Sequence, residues 1–320
     1  MATHKLPTAA DIATAVERCR SRLRRTPLVA TTPGDLGIES SVSLKLELLQ
    51  HAGSFKARGS LNSALGAEIP ASGLIAASGG NHGIAVARTA RVLGVPAEIF
   101  VPGVSAPAKV ARLRAQGATV HIVGELYDDA QAACDERAAQ TGALNIHPYD
   151  APLTVAGQGT LGVELGEQAP ELDTVIVAVG GGGLAAGIRL ALPHVKLVTV
   201  ETEACNALHA AGLAGAPVVV SPGGVAADAL GAKRIGALPW AVLADASGAV
   251  LVDDAATMAA RRALWDEMQL AVEPAAATAV AAVRSGAYTP APGERVAIIV
   301  CGGNVDPSDL VGEADVHDVA

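Results

Sequence analysis

Two hydrophobic rhythms run through this chain. Short stretches rich in Val, Ile, Leu and Ala, at residues 73–77, 97–102, 119–123, 174–179, 196–201 and 295–300, are bounded by glycine, proline or charge. Runs of that length and composition predict strands buried on both faces. Between them, residues 84–93, 106–116, 126–141, 184–192 and 255–269 space their apolar positions by three and four, which predicts helices packed by one face. Strand and helix taking turns in this way predict an α/β fold of parallel-rich twisted sheets flanked by helices.

The flanks of this pattern are less regular. Residues 9–24 read as a helix with Ile12, Val16 and Leu23 on its apolar side, and residues 26–29 as a strand. Residues 42–47 alternate, with Leu44 and Leu46 on one side and Lys45 and Glu47 on the other. Gly157-Gln158-Gly159-Thr160 is expected to open a helix that continues through Glu167, and Glu273 an alanine-rich helix that continues to Arg284. The 255–269 helix is expected to be mostly a solvated face. The stretch 145–150 breaks the βα rhythm and is expected to return the chain to its first unit. Residues 1–50 and 147–320 would then form a large domain, and residues 51–146 a small inserted βα domain. The acidic tail from Val305 is expected to be partly mobile.

A chain of 320 residues can bury a full core. Its net charge of -9 without a basic run, and its 2% aromatic content, exclude a nucleic-acid surface. No apolar run reaches the ~20 residues of a membrane span. The first 25 residues carry Asp11, Glu17 and several arginines without an apolar centre, unlike a secretory leader. Cys19, Cys134, Cys205 and Cys301 lie far apart with no CxxC pair, so neither a disulfide framework nor a zinc site is expected. A reducing cytoplasm fits that usage.

Chemistry concentrates where predicted strands run into small-residue loops: Ser78-Gly79-Gly80-Asn81-His82-Gly83, the tetraglycine Gly180, Gly181, Gly182 and Gly183, and Cys301-Gly302-Gly303-Asn304. A tetraglycine between strand and helix lets several backbone N–H groups converge beside the positive end of a helix, a cradle for phosphate. The Lys-Ser/Thr of a P-loop is missing, which argues against a nucleoside triphosphate; GxGxxG spacing is missing too, though a loose Rossmann-type reading stays open. A plain turn would explain the glycines of the first loop, but not Ser78, Asn81 and His82 crowded beside them. Lys56 sits in Ser54-Phe55-Lys56-Ala57-Arg58-Gly59, where Ser54 is placed to cap a helix running through Asn62 and Leu65. Most lysines are solvated surface charges. One held near a helix start, partly desolvated and next to Arg58, is expected to have a lowered pKa, as an imine-forming amine requires. No HExxH, GxSxG or acidic pair at catalytic spacing competes with it. Pyridoxal phosphate is the cofactor that needs both an amine for its aldehyde and a dipole nest for its phosphate.

These motifs, together with Gly157-Gln158-Gly159-Thr160, stand in an order that resembles the fold-type II pyridoxal-phosphate enzymes, tryptophan synthase β-like in architecture. Within them the chain is most similar to the serine/threonine dehydratase and serine racemase group, from about Thr26 to Pro307. The resemblance implies that Lys56 holds the cofactor's aldehyde and moves protons at the substrate Cα. Phe55 would pack by the ring, Asn81 would bond the ring hydroxyl, Gly180 to Gly183 would hold the phosphate, and Cys301 would face the pyridine nitrogen. Ser78, Gly79, Asn81, His82 and Gly159 would line the substrate site.

Departures from the family pattern sharpen the expectation. A neutral Cys301 makes the cofactor a weaker electron sink than an aspartate would, which favours β-elimination. The racemase pattern has a serine where this chain has Gly79, so a second acid/base is missing unless Ser78 serves. Glu201, with carbonyls around Cys205 and Leu230, resembles the family's cation site; Ala207 stands where divalent-binding members have aspartate, which implies a monovalent ion such as K⁺. The alternative is that Glu201 caps the next turn. The expected activity is dehydration of L-serine or L-threonine to a 2-oxo acid and ammonia, by a cytoplasmic homodimer without a regulatory segment. Alternatives on this scaffold are a 3-hydroxyaspartate dehydratase, disfavoured by the lack of arginine in residues 124–130, an aryl-serine dehydratase, a serine racemase and a β-replacement enzyme. Outside enzymes, the alternative is a nucleotide-binding sensor in which Lys56 is replaceable.

Overall fold

The computed structural model describes residues 5–310. Helix α1 (Ala9–Cys19) leads, its first turn closed by a reciprocal pair of hydrogen bonds between Thr8 and Asp11. Strands β1 (Leu28–Ala30) and β2 (Val42–Leu46) follow, then α2 (Lys56–Leu65). A βα series comes next: β3 (Leu74–Ala77), α3 (Asn81–Leu93), β4 (Ala97–Val101), α4 (Pro107–Ala115), β5 (Thr119–Ile122), α5 (Tyr127–Thr141) and the short β6 (Leu144–Asn145). Then come α6 (Pro152–Gln168), β7 (Thr174–Ala178), α7 (Gly183–Ala191), β8 (Lys196–Thr202), α8 (Ala207–Ala214), α9 (Ala227–Leu230) and α10 (Ala237–Leu243). The chain closes with β9 (Val250–Val252), α11 (Asp254–Met268), α12 (Pro274–Arg284) and β10 (Val296–Val300).

The strands make two sheets. One runs β1-β2-β10-β7-β8-β9, the other β5-β4-β3-β6. Only β1 pairs antiparallel, so all other strands point their carboxyl ends the same way within each sheet. Every residue of β7 and β10 is buried, as continuous apolar runs predict. Helix α12 is also buried over nearly its whole surface, from Ala275 to Val283, because its alanines let it lie tight against the larger sheet. The 255–269 helix is less solvated than its sequence suggests: Thr257, Ala260, Arg261, Ala263 and Leu264 are all buried.

Two further differences matter for the site. Helix α6 begins at Pro152, five residues ahead of the glycine motif expected to open it, since proline is well suited to a first helical turn. Its glycines serve helix crossing. A Cβ on Gly157 would stand 2.7 Å from the Gly59 Cα, and one on Gly159 would stand 2.9 Å from Ile12 and 3.1 Å from the Gly187 carbonyl. So α2 and α7 approach α6 at backbone distance, and α1 packs onto it through the Ile12 side chain. The second difference is that Lys45 and Glu47 do share a side, as alternation predicts, but that side is core. Lys45 donates to the Thr26 carbonyl at 2.8 Å and pairs with Glu164. Arg58 of α2 grips both oxygens of Glu47, at 2.8 and 2.7 Å, and reaches Glu164 at 3.0 Å. This charged knot ties α2 to β2 and α6 immediately behind Lys56.

Candidate active site

Helix α2 begins at Lys56 itself. Ser54 does not cap it: Phe55 holds the N-cap position without a side-chain bond, and the buried Ser54 hydroxyl has no partner among the described residues. Ser54 is instead extended, bridging Gly302, while the Phe55 N–H donates to the Cys301 carbonyl at 3.1 Å. The lysine segment and the end of β10 are thereby zipped together. The Lys56 amine donates to the Pro148 carbonyl at 2.9 Å and lies 5.1 Å from the Phe55 ring centre. Burial pushes its pKa down to about 8. Arg58, expected to contribute to that shift, points the other way, into the knot with Glu47 and Glu164. Burial also pushes the Cys301 thiol up, with Glu273 adding to the effect, so Cys301 is a neutral S–H beside the lysine.

The tetraglycine lies between β7 and α7, with Gly182 at φ +87, a left-handed conformation that suits glycine. None of the N–H groups of Gly180, Gly181, Gly182 and Gly183 donates to an acceptor among the described residues. Side chains could not be tolerated here. A Cβ on Gly181 would fall 2.3 Å from the Tyr149 ring, one on Gly183 2.8 Å from the Tyr149 carbonyl, and one on Gly180 2.9 Å from the Leu230 Cα. Unspoken-for N–H groups at a nine-residue helix's positive end, in a cradle that a Cβ would fill, fit a phosphate. Tyr149 and Pro148 come from the turn between β6 and α6. That turn is fixed by Asp150, whose carboxylate caps α10 through the N–H groups of Ala237 (2.9 Å) and Leu238 (2.8 Å).

Asn81, the first residue of α3, donates from Nδ2 to both oxygens of Glu273, at 2.7 and 2.8 Å. Its Oδ1 accepts from Asn304 at 2.6 Å, and Asn304 also donates to the Ala52 carbonyl at 2.8 Å. One network thus joins three loops: the one before Lys56, the one at the start of α3 and the one after β10. Ser78 accepts from the Gly80 N–H at 3.3 Å, and a Cβ on Gly79 would have the Ser105 hydroxyl as its nearest neighbour, at 3.4 Å.

Three expected site residues do other work. His82 turns inward, its Nε2 bonded to the Ile146 carbonyl at 2.7 Å. Burial and the Lys56 charge push its pKa down to about 3, so it is neutral and fastens the loop without offering a charge to a carboxylate. Gly159 is buried in the α1–α6–α7 crossing and does not line a substrate site. Glu201 accepts from the N–H groups of Leu208 (2.9 Å) and His209 (2.8 Å), and so caps α8. The Leu230 carbonyl accepts from Ala232, and Cys205 donates its thiol to the Gly223 carbonyl. These contacts give no support to a cation site at Glu201, Cys205 and Leu230. No cluster of three His, Cys, Asp or Glu able to hold a metal occurs among the described residues, and none of their helices is long and apolar enough to cross a membrane.

Glu273, Asn304 and Tyr149 were missed as site residues. Tyr149 carried a signal, being one of three tyrosines in a chain of 2% aromatics. Glu273 carried a weaker one: it precedes the proline that opens α12 and is nevertheless followed by an unbroken buried helix.

Comparison with known proteins agrees with this geometry. Over 297 residues the chain is 37% identical to the L-threonine ammonia-lyase of Geobacter sulfurreducens, covering 91% of this chain and 74% of that one. It is also 37% identical over 311 residues to the phenylserine dehydratase of Ralstonia pickettii, covering 95% of each. Among solved structures, maize serine racemase superposes with a TM-score of 0.90 at 31% identity, covering 96% of both chains. The family profile described as pyridoxal-phosphate dependent enzyme matches residues 20–302, and with the amine, the cradle and the loop network in place the chain belongs to that family of fold-type II enzymes.

Proposed function

We propose that this protein removes water from a β-hydroxy amino acid, L-serine or L-threonine, to give a 2-oxo acid and ammonia. The observation that carries the proposal is the Lys56 amine, half-buried with its pKa pushed down to about 8, between the phosphate cradle and a neutral Cys301 thiol. Bound pyridoxal phosphate supplies an aldehyde for an amine and an electron sink for loss of a Cα proton. The Gly180 to Gly183 N–H groups would hold its phosphate, Asn81 its ring hydroxyl and Cys301 its ring nitrogen.

Lys56 is suited to move the Cα proton. With a pKa of about 8, roughly a tenth of such an amine is unprotonated at neutral pH, far more than for an ordinary lysine. The Cα proton and the β-hydroxyl leave together as water, and the remaining enamine hydrolyses to the 2-oxo acid. Gly79 offers no proton to the opposite face of Cα, and the Ser78 hydroxyl is turned onto its own loop, which supports elimination over racemisation.

A second substrate class, the aryl-serines, is supported by the likeness to a phenylserine dehydratase, 37% identical over 95% of each chain. The four free, buried cysteines support a reducing cytoplasm, and a homodimer is proposed on the family resemblance. The test is a 2-oxo-acid assay of the cofactor-loaded protein with L-serine, L-threonine, phenylserine and 3-hydroxyaspartate. Lys56→Ala should cut the rate by about 10³-fold or more, at the scale of a lost general base. No oxo acid from any of the four would overturn the proposal.

A further inference from the structure

Glu273 is a carboxylate in an unexpected place. It stands at the N-cap of α12, yet its side chain makes no bond to its own helix. Its backbone already serves that end, with the carbonyl accepting from Ala276 and the N–H donating to Gly302. The side chain instead enters the site, where it is only 6% exposed. It lies against the Gly302 Cα so closely that a Cβ there would fall 2.1 Å from Oε1. Taking a carboxylate out of water is costly, and one retained beside a cofactor site needs a reason.

The reason lies in how an amide is oriented. Asn81 has one acceptor and two N–H donors. Asn304 can only donate to Oδ1 through its own Nδ2, and both Glu273 oxygens lie within 2.8 Å of the one Asn81 Nδ2, so a single N–H shared between them satisfies the carboxylate. The two partners agree on the same orientation of the amide. One N–H of Asn81 is left over.

We propose that Glu273 is a positioning residue, holding Asn81 so that this remaining N–H faces the hydroxyl of the cofactor ring. The inference rests on the assignment of Asn81 to that hydroxyl. Glu273 acts only while it accepts; once protonated it can donate to Oδ1 and compete with Asn304, and the orientation is no longer enforced. The groups facing Glu273 are Asn81 from α3, Lys56 from α2, Lys109 from α4, Asp228 from α9 and Cys301 after β10. Burial, with Asp228 in support and against Asn81, Lys56 and Lys109, pushes its pKa up to about 7. Its two states therefore exchange in the neutral range.

The experiment measures cofactor affinity of the apo-protein by absorbance titration, at about pH 6 and about pH 8, in wild type, Asn81→Ala, Glu273→Ala and Glu273→Gln. Asn81→Ala and Glu273→Ala should each weaken binding by about tenfold or more. Glu273→Gln keeps an acceptor without a titration. It should bind like wild type at the higher pH and lose the part of the pH dependence that belongs to Glu273, about a tenfold change across this range. Thermal melting of the apo-protein gives a second readout. A raised carboxyl pKa stabilises fully below the unfolded value and loses that stabilisation as pH rises through about 7. Wild type should therefore lose melting temperature against Glu273→Gln between these limits. Asn81→Ala without effect on affinity would remove the Asn81 assignment. A weakened Asn81→Ala with an unchanged Glu273→Ala, or identical pH series for wild type and Glu273→Gln, would overturn the role of Glu273 alone. Should Glu273→Ala fail to fold, the Glu273→Gln series decides.

Discussion

Replacing Arg58 with leucine tests whether the charged knot behind α2 holds the lysine helix in place. Arg58 is 1% exposed, and Glu47 and Lys45 are 0% exposed, so the Arg58–Glu47 pair is cut off from water while Glu164 stands at the edge of the knot. Arg58→Leu leaves the Glu47 carboxylate with the Thr26 hydroxyl and no bonded cation, because Lys45 is paired to Glu164. Breaking a buried pair from one side typically costs about 3–5 kcal/mol, since the stranded charge keeps its desolvation penalty. That is a large share of the roughly 5–15 kcal/mol by which domains are stable. Glu47→Leu should cost less, because Arg58 retains Glu164 at 3.0 Å. The double variant Glu47→Leu/Arg58→Leu should recover most of the loss, as apolar replacement of a buried pair usually does. Urea unfolding of the apo-protein measures all three. Arg58 lies two residues beyond Lys56 in the same helical turn, so Arg58→Leu should also weaken cofactor binding while the double variant restores it in part. A single variant within about 0.5 kcal/mol of wild type, or a double variant no better than Arg58→Leu, would refute the account.

Other substitutions probe the site directly. Gly181→Ala drives a Cβ into the Tyr149 ring, 2.3 Å away, so it should abolish measurable cofactor binding in an absorbance titration while the apo-protein still melts cooperatively. Gly79→Ser has room, its Cβ meeting nothing nearer than 3.4 Å; a hydroxyl there supplies the missing acid, and chiral analysis of recovered serine should show racemisation absent from wild type. Glu201, pushed up to about 7 by burial against its two N–H bonds, stabilises below its unfolded value and loses that contribution as pH rises through about 7. Glu201→Gln should flatten the pH dependence of apo-protein stability by about 2–3 kcal/mol between pH 5 and 8. A bound cation would hold the carboxylate ionised, so a wild-type slope that vanishes in KCl but not in choline chloride would overturn the capping role.

What could be seen in the sequence was what short-range physics decides. Strands β7 and β10 announce themselves because a strand buried on both faces must be continuously apolar, and the glycines after them because a backbone cradle excludes side chains. The lysine was legible through its company, although the cause assigned to its shifted pKa was wrong in part: burial lowers it, and Arg58 takes no share. Lys45 and Glu47 could be put on one side of a strand by alternation, but that this side meets Arg58 and Glu164 depends on where α2 and α6 pack, over a hundred residues apart. Glu273 and Asn304 belong to the same class. Each has meaning only through Asn81, 192 and 223 residues away in the chain, and no local pattern encodes such a contact.

The glycines make the limit of motif reading concrete. Two motifs, residues 157–160 and 180–183, look alike as small-residue breaks near helices, and the family resemblance assigns both to ligand binding. What a Cβ would strike separates them. At Gly157 and Gly159 the obstacle is the backbone or core side chain of another helix, Gly59, Ile12 or Gly187, so the glycine exists to let helices touch. At Gly181 and Gly183 the obstacle is the turn carrying Tyr149, and the N–H groups beside it have no acceptor among the described residues. A glycine with satisfied surroundings is explained by packing; a row of them with unsatisfied donors is not, and it is the donors that require a ligand. Yet the packing glycines still reach the chemistry. By drawing α2 onto α6 at backbone distance they set the height of Lys56 against the Pro148 carbonyl, so a Cβ at Gly157 would disturb the lysine without touching any ligand.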